Sequence, residues 1–424
     1  MAIPFWLRKW CVRTGLARWS PWVRRHGDGV GPFLHHYGDR TLAAPLDELA
    51  SMSDWFGPRR PEVIDLTQSS PRFDLAPSGL TRLPAERRGY PPPWGLPELR
   101  QALIDQKFVR ASDEALITHG AAGALGTAFD AFLNPGSRVV VFDPTAPLFA
   151  PMLKHRRARI RWLPTRTDNG NTRFDRELLA NSLRGSRMLV LADPGNPTGG
   201  IFAPEDLEQI AWWANRHDVL VIVDESYSRY REDDDRPRFA DFLGAARRTL
   251  TIGSFSKGHS LTAARAGWIT GHRHLARPCF VTQSLSAPFV PVLCQQIALS
   301  ALSAGDELFE PIRREMASRR QFAFERVQSI GLAPIWPAAG FFLWVSIHQL
   351  GLDGRTFAKR LLEAKNVLVT PGDAFGPNGV GQIRLSLAGD EGRLLEGLSR
   401  LAEFIEELNS KPQLRQTEVI ANAA

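Results

Sequence analysis

The sequence predicts an α/β protein: a large domain with a mostly parallel sheet between helices, followed by a smaller α+β domain. Three observations carry this. The chain has 424 residues, too many for one small core, and at about 150 residues per domain it divides into two or three units. Between about Pro97 and Ser303, helix-period stretches alternate with short β-branched runs, the pattern of parallel strands joined by crossover helices. After Ser303 the alternation gives way to a different order of elements.

The first helix-period stretches are Pro97–Arg110, Ala121–Leu133 and Pro204–Arg216, and the intervening strands are Arg138–Asp143, Arg187–Asp193, Asp218–Asp224 and Thr249–Ser254. These runs are nearly continuously apolar, as expected of strands covered on both faces. The later block predicts a long helix over Asp306–Ile330, a strand Phe341–Ile347, a helix near Arg355–Lys365, a strand Gly381–Leu387 and a closing helix Glu391–Leu408. The expected organisation is an N-terminal basic, Trp-rich arm over 1–60, a large domain over 85–305, a small domain from 61–84 and 306–408, and a frayed polar tail over 409–424.

Composition narrows the function. With 43% hydrophobic and 23% charged residues, the chain has the balance of an ordinary globule. Of the net charge of +7, six charges sit in residues 1–27 as Arg8, Lys9, Arg13, Arg18, Arg24 and Arg25, leaving the body near neutral. A nucleic-acid footprint should be a basic face on a folded domain, so no nucleic-acid partner is expected. The leader also carries Trp6, Trp10, Trp19 and Trp22. It reads either as an arm packed on the body with its arginines solvated or as a membrane-surface or targeting element. No run approaches the roughly 18–20 apolar residues that span a bilayer, so no integral membrane contact is expected. Cys11, Cys279 and Cys294 are scattered and in no CxxC spacing, which fits a reducing, cytoplasmic setting with no disulfide framework and no metal site. No GxSxG, HExxH or Walker loop is present, and Gly27-Asp28-Gly29-Val30-Gly31 lacks the spacing of a dinucleotide loop.

Chemistry in such folds gathers at the carboxyl ends of the parallel strands. One strand runs into Pro194-Gly195-Asn196-Pro197-Thr198-Gly199, a second ends in Asp224 with Tyr227 three residues later, and a third enters Gly253-Ser254-Phe255-Ser256-Lys257-Gly258. Taken singly these are a plain turn, a helix cap and a solvated lysine. Together with Arg265 they assemble an amine, a carboxylate, an amide, a phenol, two hydroxyls and a guanidinium. A pyridine aldehyde phosphate needs that inventory: a lysine for its Schiff base, a carboxylate at the ring nitrogen, donors for the phenolate oxygen, and hydroxyls plus a cation for the phosphate.

On these residues the chain resembles the class I/II aminotransferases, which use pyridoxal 5'-phosphate, over roughly Val63 to Leu408. The resemblance implies the fold type I transferase architecture, with a seven-stranded sheet. It implies Lys257 as the Schiff-base lysine and Asp224 as the ring-nitrogen partner, with Asn196 and Tyr227 at the phenolate oxygen. Ser254, Ser256 and Arg265 fall at the phosphate, with the backbone of Ala121 and Ala122 at a helix N-terminus. Tyr90 resembles a tyrosine that reaches the phosphate of a neighbouring subunit's cofactor, which implies a homodimer with shared active sites. Arg384, in Gln382-Ile383-Arg384-Leu385-Ser386, matches the arginine that grips the substrate α-carboxylate, with Ser69 and Asn196 close to it. The implied activity moves the amino group of an L-amino acid to a 2-oxo acid, and a lyase or cyclase acting through the same cofactor is the alternative.

Two departures bear on substrate. Ala146, after Asp143-Pro144-Thr145, stands where the family places an aromatic residue on the cofactor ring, so that face loses an aromatic partner unless Phe149 or a leader tryptophan fills the space. Gln68-Ser69-Ser70-Pro71 replaces a glycine-containing string. No arginine occurs in Thr282–Pro291, which favours neutral or aromatic side chains over acidic ones.

Overall fold

The computed structural model describes residues 61–71, 89–232, 236–305, 307 and 309–410. The expected arm over 1–60 lies outside the described residues, as do 72–88, Asp306 and 411–424.

The order of elements begins with β1 (Ile64–Asp65), α1 (Pro97–Asp105), β2 (Glu114–Thr118), α2 (Gly120–Phe132), β3 (Arg138–Asp143) and α3 (Phe149–His155). It continues through β4 (Arg159–Asp168), β5 (Asn171–Phe174), α4 (Arg176–Leu183), β6 (Met188–Ala192), β7 (Ile201–Phe202), α5 (Pro204–Arg216) and β8 (Leu220–Asp224). Then come β9 (Thr249–Ser254), α6 (Phe255–Gly258), β10 (Gly267–Gly271), α7 (Arg273–Ser286) and α8 (Val292–Ser303). Pro97 and Pro204 open their helices, where a missing N–H costs nothing, and Asp175 caps α4 by accepting the N–H of Leu178 at 2.9 Å.

The large sheet runs β2-β10-β9-β8-β6-β3-β4-β5-β7. Seven strands form its body, and the long β4 turns back as a hairpin so that β5 and β7 extend one edge. From β9 to β4 the pairings are parallel, and β10 is antiparallel to both its neighbours. Alternate residues of the central strands feed opposite cores. Val139, Val141, Met188, Val190 and Ile222 pack on one face, whereas Val140, Leu189, Leu191, Val221 and Val223 pack on the other. This double burial explains why the runs lack polar alternation.

The small domain carries α9 (Glu310–Ser329), β11 (Ala333–Ile335), β12 (Phe342–Ser346), α10 (Gly354–Lys365), β13 (Val367–Leu368), β14 (Thr370–Pro371), β15 (Gln382–Ser386) and α11 (Glu391–Ser410). Its sheet is ordered β11-β12-β15-β14, and β1 pairs in parallel with β13. Helix α11 runs on to Ser410, burying Leu401, Phe404, Ile405 and Leu408 on one face, with Asn409 and Ser410 exposed at its end. Among the described residues no helix is long and apolar enough to cross a membrane.

Candidate active site

The strands β9, β8 and β6 are neighbours in the sheet, so Ser254 through Lys257, Asp224 and Asn196 emerge side by side at their carboxyl ends. The turn after β9 is shaped by Ser254, whose Oγ accepts the N–H of Ser256 at 3.0 Å and starts the single turn α6 that carries Lys257. Tyr230 holds the other side of this turn, its hydroxyl donating to the Lys257 carbonyl at 3.0 Å. Sequence reading overlooked Tyr230; the available signal was its spacing of three from Tyr227, on the same turn.

Asp224 is buried and accepts the Ser226 backbone N–H at 3.0 Å. Burial raises its pKa, opposed by Ser226 and by the Lys257 charge. Burial, with Arg384 and Arg265 nearby, brings the Lys257 ammonium down to about 8, and Asp224 pulls the other way. Tyr227 packs edge-on against Phe341 and Phe342, and burial raises its phenol above the usual range.

Arg384 reaches the same space from β15 of the small domain. Its Nη1 donates to Asn196 Oδ1 at 3.0 Å, and its Nη2 to the Thr67 carbonyl at 3.0 Å and to Thr370 Oγ1 and Ser69 Oγ at 3.4 and 3.5 Å. The guanidinium carbon lies 4.0 Å from the Phe342 ring centre and 4.9 Å from that of Phe375. Burial lowers its pKa to about 10, which still leaves it charged at neutral pH. Lys257 Nζ donates to the Ser69 carbonyl. One residue, Ser69, therefore touches both the amine and the fork.

A second cluster is built for an anion. Thr118 ends β2, and Gly120, Ala121 and Ala122 form the first turn of α2, where backbone N–H groups have no helical acceptor. Arg265 takes the left-handed conformation, φ 50° and ψ 36°, which costs about 1–2 kcal/mol. That turn brings its guanidinium to Ser256 Oγ at 3.4 Å and against Gly120, where a Cβ would fall 2.8 Å from Nη2. Gly267 of β10 lets the pieces meet, since a Cβ there would lie 2.7 Å from the Gly253 carbonyl and 2.8 Å from the Gly120 carbonyl carbon. Both obstacles are backbone. Gly267→Ala is therefore expected to destabilise the protein by about 1–3 kcal/mol, read as a lowered midpoint in urea.

Tyr90 does not join the cluster within one chain. It is 88% exposed and stacks on Phe289 with ring centres 4.9 Å apart. Of the two candidates for the space beside Ala146, Phe149 is fully buried in the core with Phe129 and Leu153, turned inward by α3, and does not fill it. The leader tryptophans lie outside the described residues.

Pyridoxal phosphate fits this donor set. The anion cradle at α2, Arg265 and the α6 turn suits its phosphate, Asp224 and Lys257 suit its ring nitrogen and aldehyde, and Arg384, whose buried Nε has no acceptor among the described residues, keeps an unspent donor suited to a carboxylate.

Comparison with known proteins agrees. The chain matches the family "Aminotransferase class I and II" over residues 61–401. It is 31% identical to the arginine–pyruvate transaminase of Pseudomonas aeruginosa, over 92% of this chain and 99% of that protein. It is 29% identical to an aspartate aminotransferase of Pyrococcus abyssi, over 82% of this chain and 92% of that protein. Among solved structures, the aspartate aminotransferase of Thermus thermophilus with maleate superposes with a TM-score of 0.77 at 26% identity, covering 87% of this chain and 99% of that chain. The aromatic aminotransferase of Pyrococcus horikoshii gives 0.76 at 29%, covering 86% and 99%. With its mostly parallel sheet and the amine, carboxylate and guanidinium gathered above it, the chain belongs to the class I and II aminotransferases and is a pyridoxal-phosphate enzyme.

Proposed function

We propose that the protein transfers the α-amino group of an L-amino acid with a neutral or aromatic side chain to a 2-oxo acid. One observation carries the reading: Lys257 Nζ and the Arg384 fork converge on Ser69, so an amine able to move a proton faces a bidentate carboxylate site across one residue's width. When bound, pyridoxal phosphate supplies an electron sink for the bond broken at the substrate α-carbon. Lys257 would hold the cofactor through Nζ, and the same amine is placed to move a proton at the substrate α-carbon. Asp224 keeps a proton on the ring nitrogen. Asn196 and Tyr227 orient the phenolate oxygen, and Asn196 also aligns Arg384. Ser254, Ser256, Arg265 and the N–H groups of Ala121 and Ala122 hold the phosphate. The absence of basic side chains from Thr282–Pro291 disfavours an acidic substrate side chain. Cys279 and Cys294 are free thiols, in keeping with work in the cytoplasm.

The test is a screen of amino acids against 2-oxo acids with the purified holoenzyme. An oxo acid matching the donor together with the amine form of the cofactor is expected; ammonia and pyruvate without that form would instead identify a lyase. Arg384→Lys keeps the charge but loses the planar fork. It is expected to raise KM for the donor by roughly tenfold or more, the equivalent of about 1.5–3 kcal/mol, with a smaller change in kcat.

We infer also that the working unit is a homodimer. Tyr90, 88% exposed, stacks on Phe289, and Val281 and Leu285, one turn apart on α7, are 55% and 85% exposed, apolar surface of the kind that a second copy would cover. Tyr90 then reaches the partner's phosphate. Dilution below the dissociation point is expected to release cofactor, and Tyr90→Phe to weaken its retention by about 1.5–3 kcal/mol, measured by equilibrium dialysis. A stable, fully active monomer would contradict this.

A further inference from the structure

Asp143 closes β3, the strand next to the one that leads to Asn196. Its carboxylate is buried and touches the small domain. Oδ2 accepts the backbone N–H of Asn378 at 2.9 Å, whereas Oδ1 has no hydrogen-bond partner among the described residues. The surrounding contacts form a strap. Residues 372–379 leave β14, cross to the end of β3 and are pinned there at several points. The Thr145 N–H donates to the Phe375 carbonyl at 2.9 Å, and the Asn378 side-chain amide donates to the Thr165 carbonyl at 3.0 Å and the Asp143 carbonyl at 3.4 Å. Gly376 holds φ 125° and ψ 175°, a conformation open essentially to glycine alone. A Cβ at this position would fall 2.2 Å from Asp143 Oδ1, so the strap backbone lies directly on the carboxylate. Burial raises the Asp143 carboxyl to about 6, offset in part by the Asn378 N–H.

The strap also bears on the functional site. Its Phe375 ring lies 4.9 Å from the Arg384 guanidinium and is braced edge-on by Trp344 at 5.2 Å. Thr370, two residues before the strap begins, accepts from Arg384 Nη2. A strap free to lift from β3 would remove one aromatic face from the fork.

We propose that Asp143 is a positioning residue: it clasps the 372–379 strap of the small domain to the large domain and thereby sets Arg384 for the substrate carboxylate. The proposal rests on the transaminase reading, which makes Arg384 the carboxylate grip. Asp143 touches neither substrate nor cofactor in this role; it acts through Asn378 and Phe375. An amide in its place would keep an acceptor for the Asn378 N–H and remove the cost of a buried, half-satisfied negative charge. Removal of the side chain would release the strap.

The experiment uses the holoenzyme with the donor returned by the screen and with that donor's α-methyl analogue, which lacks the proton to be moved and so reports binding alone through cofactor absorbance. Asp143→Ala is expected to raise KM for the donor and Kd for the analogue about tenfold, the effect of one lost hydrogen bond to a charged group, with kcat within about threefold. Asp143→Asn is expected to restore both to within about twofold. Asn378→Ala removes the strap's amide contacts and should shift KM in the same direction as Asp143→Ala, so the test stands even if that variant fails to fold. An unchanged Kd in Asp143→Ala, or a Kd in Asp143→Asn as weak as in the alanine variant, overturns the clasp. If Asp143→Ala does not fold, an unchanged KM in Asn378→Ala overturns it. A wild-type holoenzyme whose absorbance responds to no amino acid would overturn the transaminase reading instead.

Discussion

Lys257→Ala is expected to lose turnover and chain-bound cofactor together, because in the proposed reading a single amine serves both purposes. General base catalysis alone accounts for about 10²–10⁴ in rate, and loss of the covalent anchor adds to it, so kcat should fall by roughly 10⁴ or more. The residue sits where three causes depress its proton affinity: burial first, then the charges of Arg384 and Arg265, with Asp224 opposing. The pKa near 8 in place of 10.5 means that the folded chain binds fewer protons at Lys257 than the unfolded chain between those values. Ionisation of this lysine therefore weakens the fold below about pH 8, and that cost fades as pH rises through the window. The same shift supplies neutral, nucleophilic amine near neutrality. Capture of added pyridoxal phosphate by cofactor-free protein should accelerate as pH rises toward about 8 and then level. Borohydride reduction followed by mass analysis checks the anchor: Lys257→Ala should carry no added mass, and retention of reducible cofactor would move the covalent role to another lysine.

The strand end that carries Lys257 was legible in the sequence for a reason that also marks the limit of such reading. Strands β3, β6, β8 and β9 are buried on both faces, so their apolar runs stand out from the amphipathic helices between them, and the residues that follow each run fall at one edge of the sheet. Polar groups at three such ends have few bland explanations in common. Strand β10 was not legible. Gly267-Trp268-Ile269-Thr270-Gly271 has a glycine at each end, and those glycines are explained by backbone contacts across the sheet that only the fold reveals. Ser69 and Asn196 were placed near Arg384 only through family likeness, and Thr67 was not placed there at all. Thr67 lies 317 residues away and Asn196 lies 188 away, and no local pattern announces that β1 and β15 share a neighbourhood. Phe149 shows the opposite limit. Its aromatic ring suited the gap at Ala146 by position alone, yet the phase of α3 turns it into the core. Tyr90 is readable as a functional residue only through family likeness, since within one chain its hydroxyl lies at an exposed surface.

Asp224→Ala separates a catalytic carboxylate from a structural one. As a cap on the turn after β8, the side chain would contribute its bond to the Ser226 N–H, and its loss would cost about 0.5–2 kcal/mol of stability with kinetics intact. As the partner of the ring nitrogen it would hold the charge that lets the cofactor draw electrons, and removal of one such preorganised group typically costs 10²–10³ in kcat. Geometry favours the second role. The carboxylate is buried beside Lys257, and burial raises its pKa above the ordinary value of 3.8. For a carboxylate shifted upward, the folded chain binds more protons than the unfolded one, so stability falls as pH rises through the window between the two values. Asp224 thus weakens the cofactor-free fold at neutral pH. Asp224→Asn, which keeps an acceptor for Ser226 but carries no charge, should hold or raise the melting temperature of the cofactor-free protein. The same substitution should lower kcat by roughly 10³-fold, or about 4 kcal/mol, while the phosphate contacts retain some cofactor. Stopped-flow turnover and thermal melts on the two variants decide the matter: near wild-type kcat with a lowered melting temperature would assign Asp224 to the turn, whereas a preserved fold with collapsed turnover assigns it to the cofactor nitrogen.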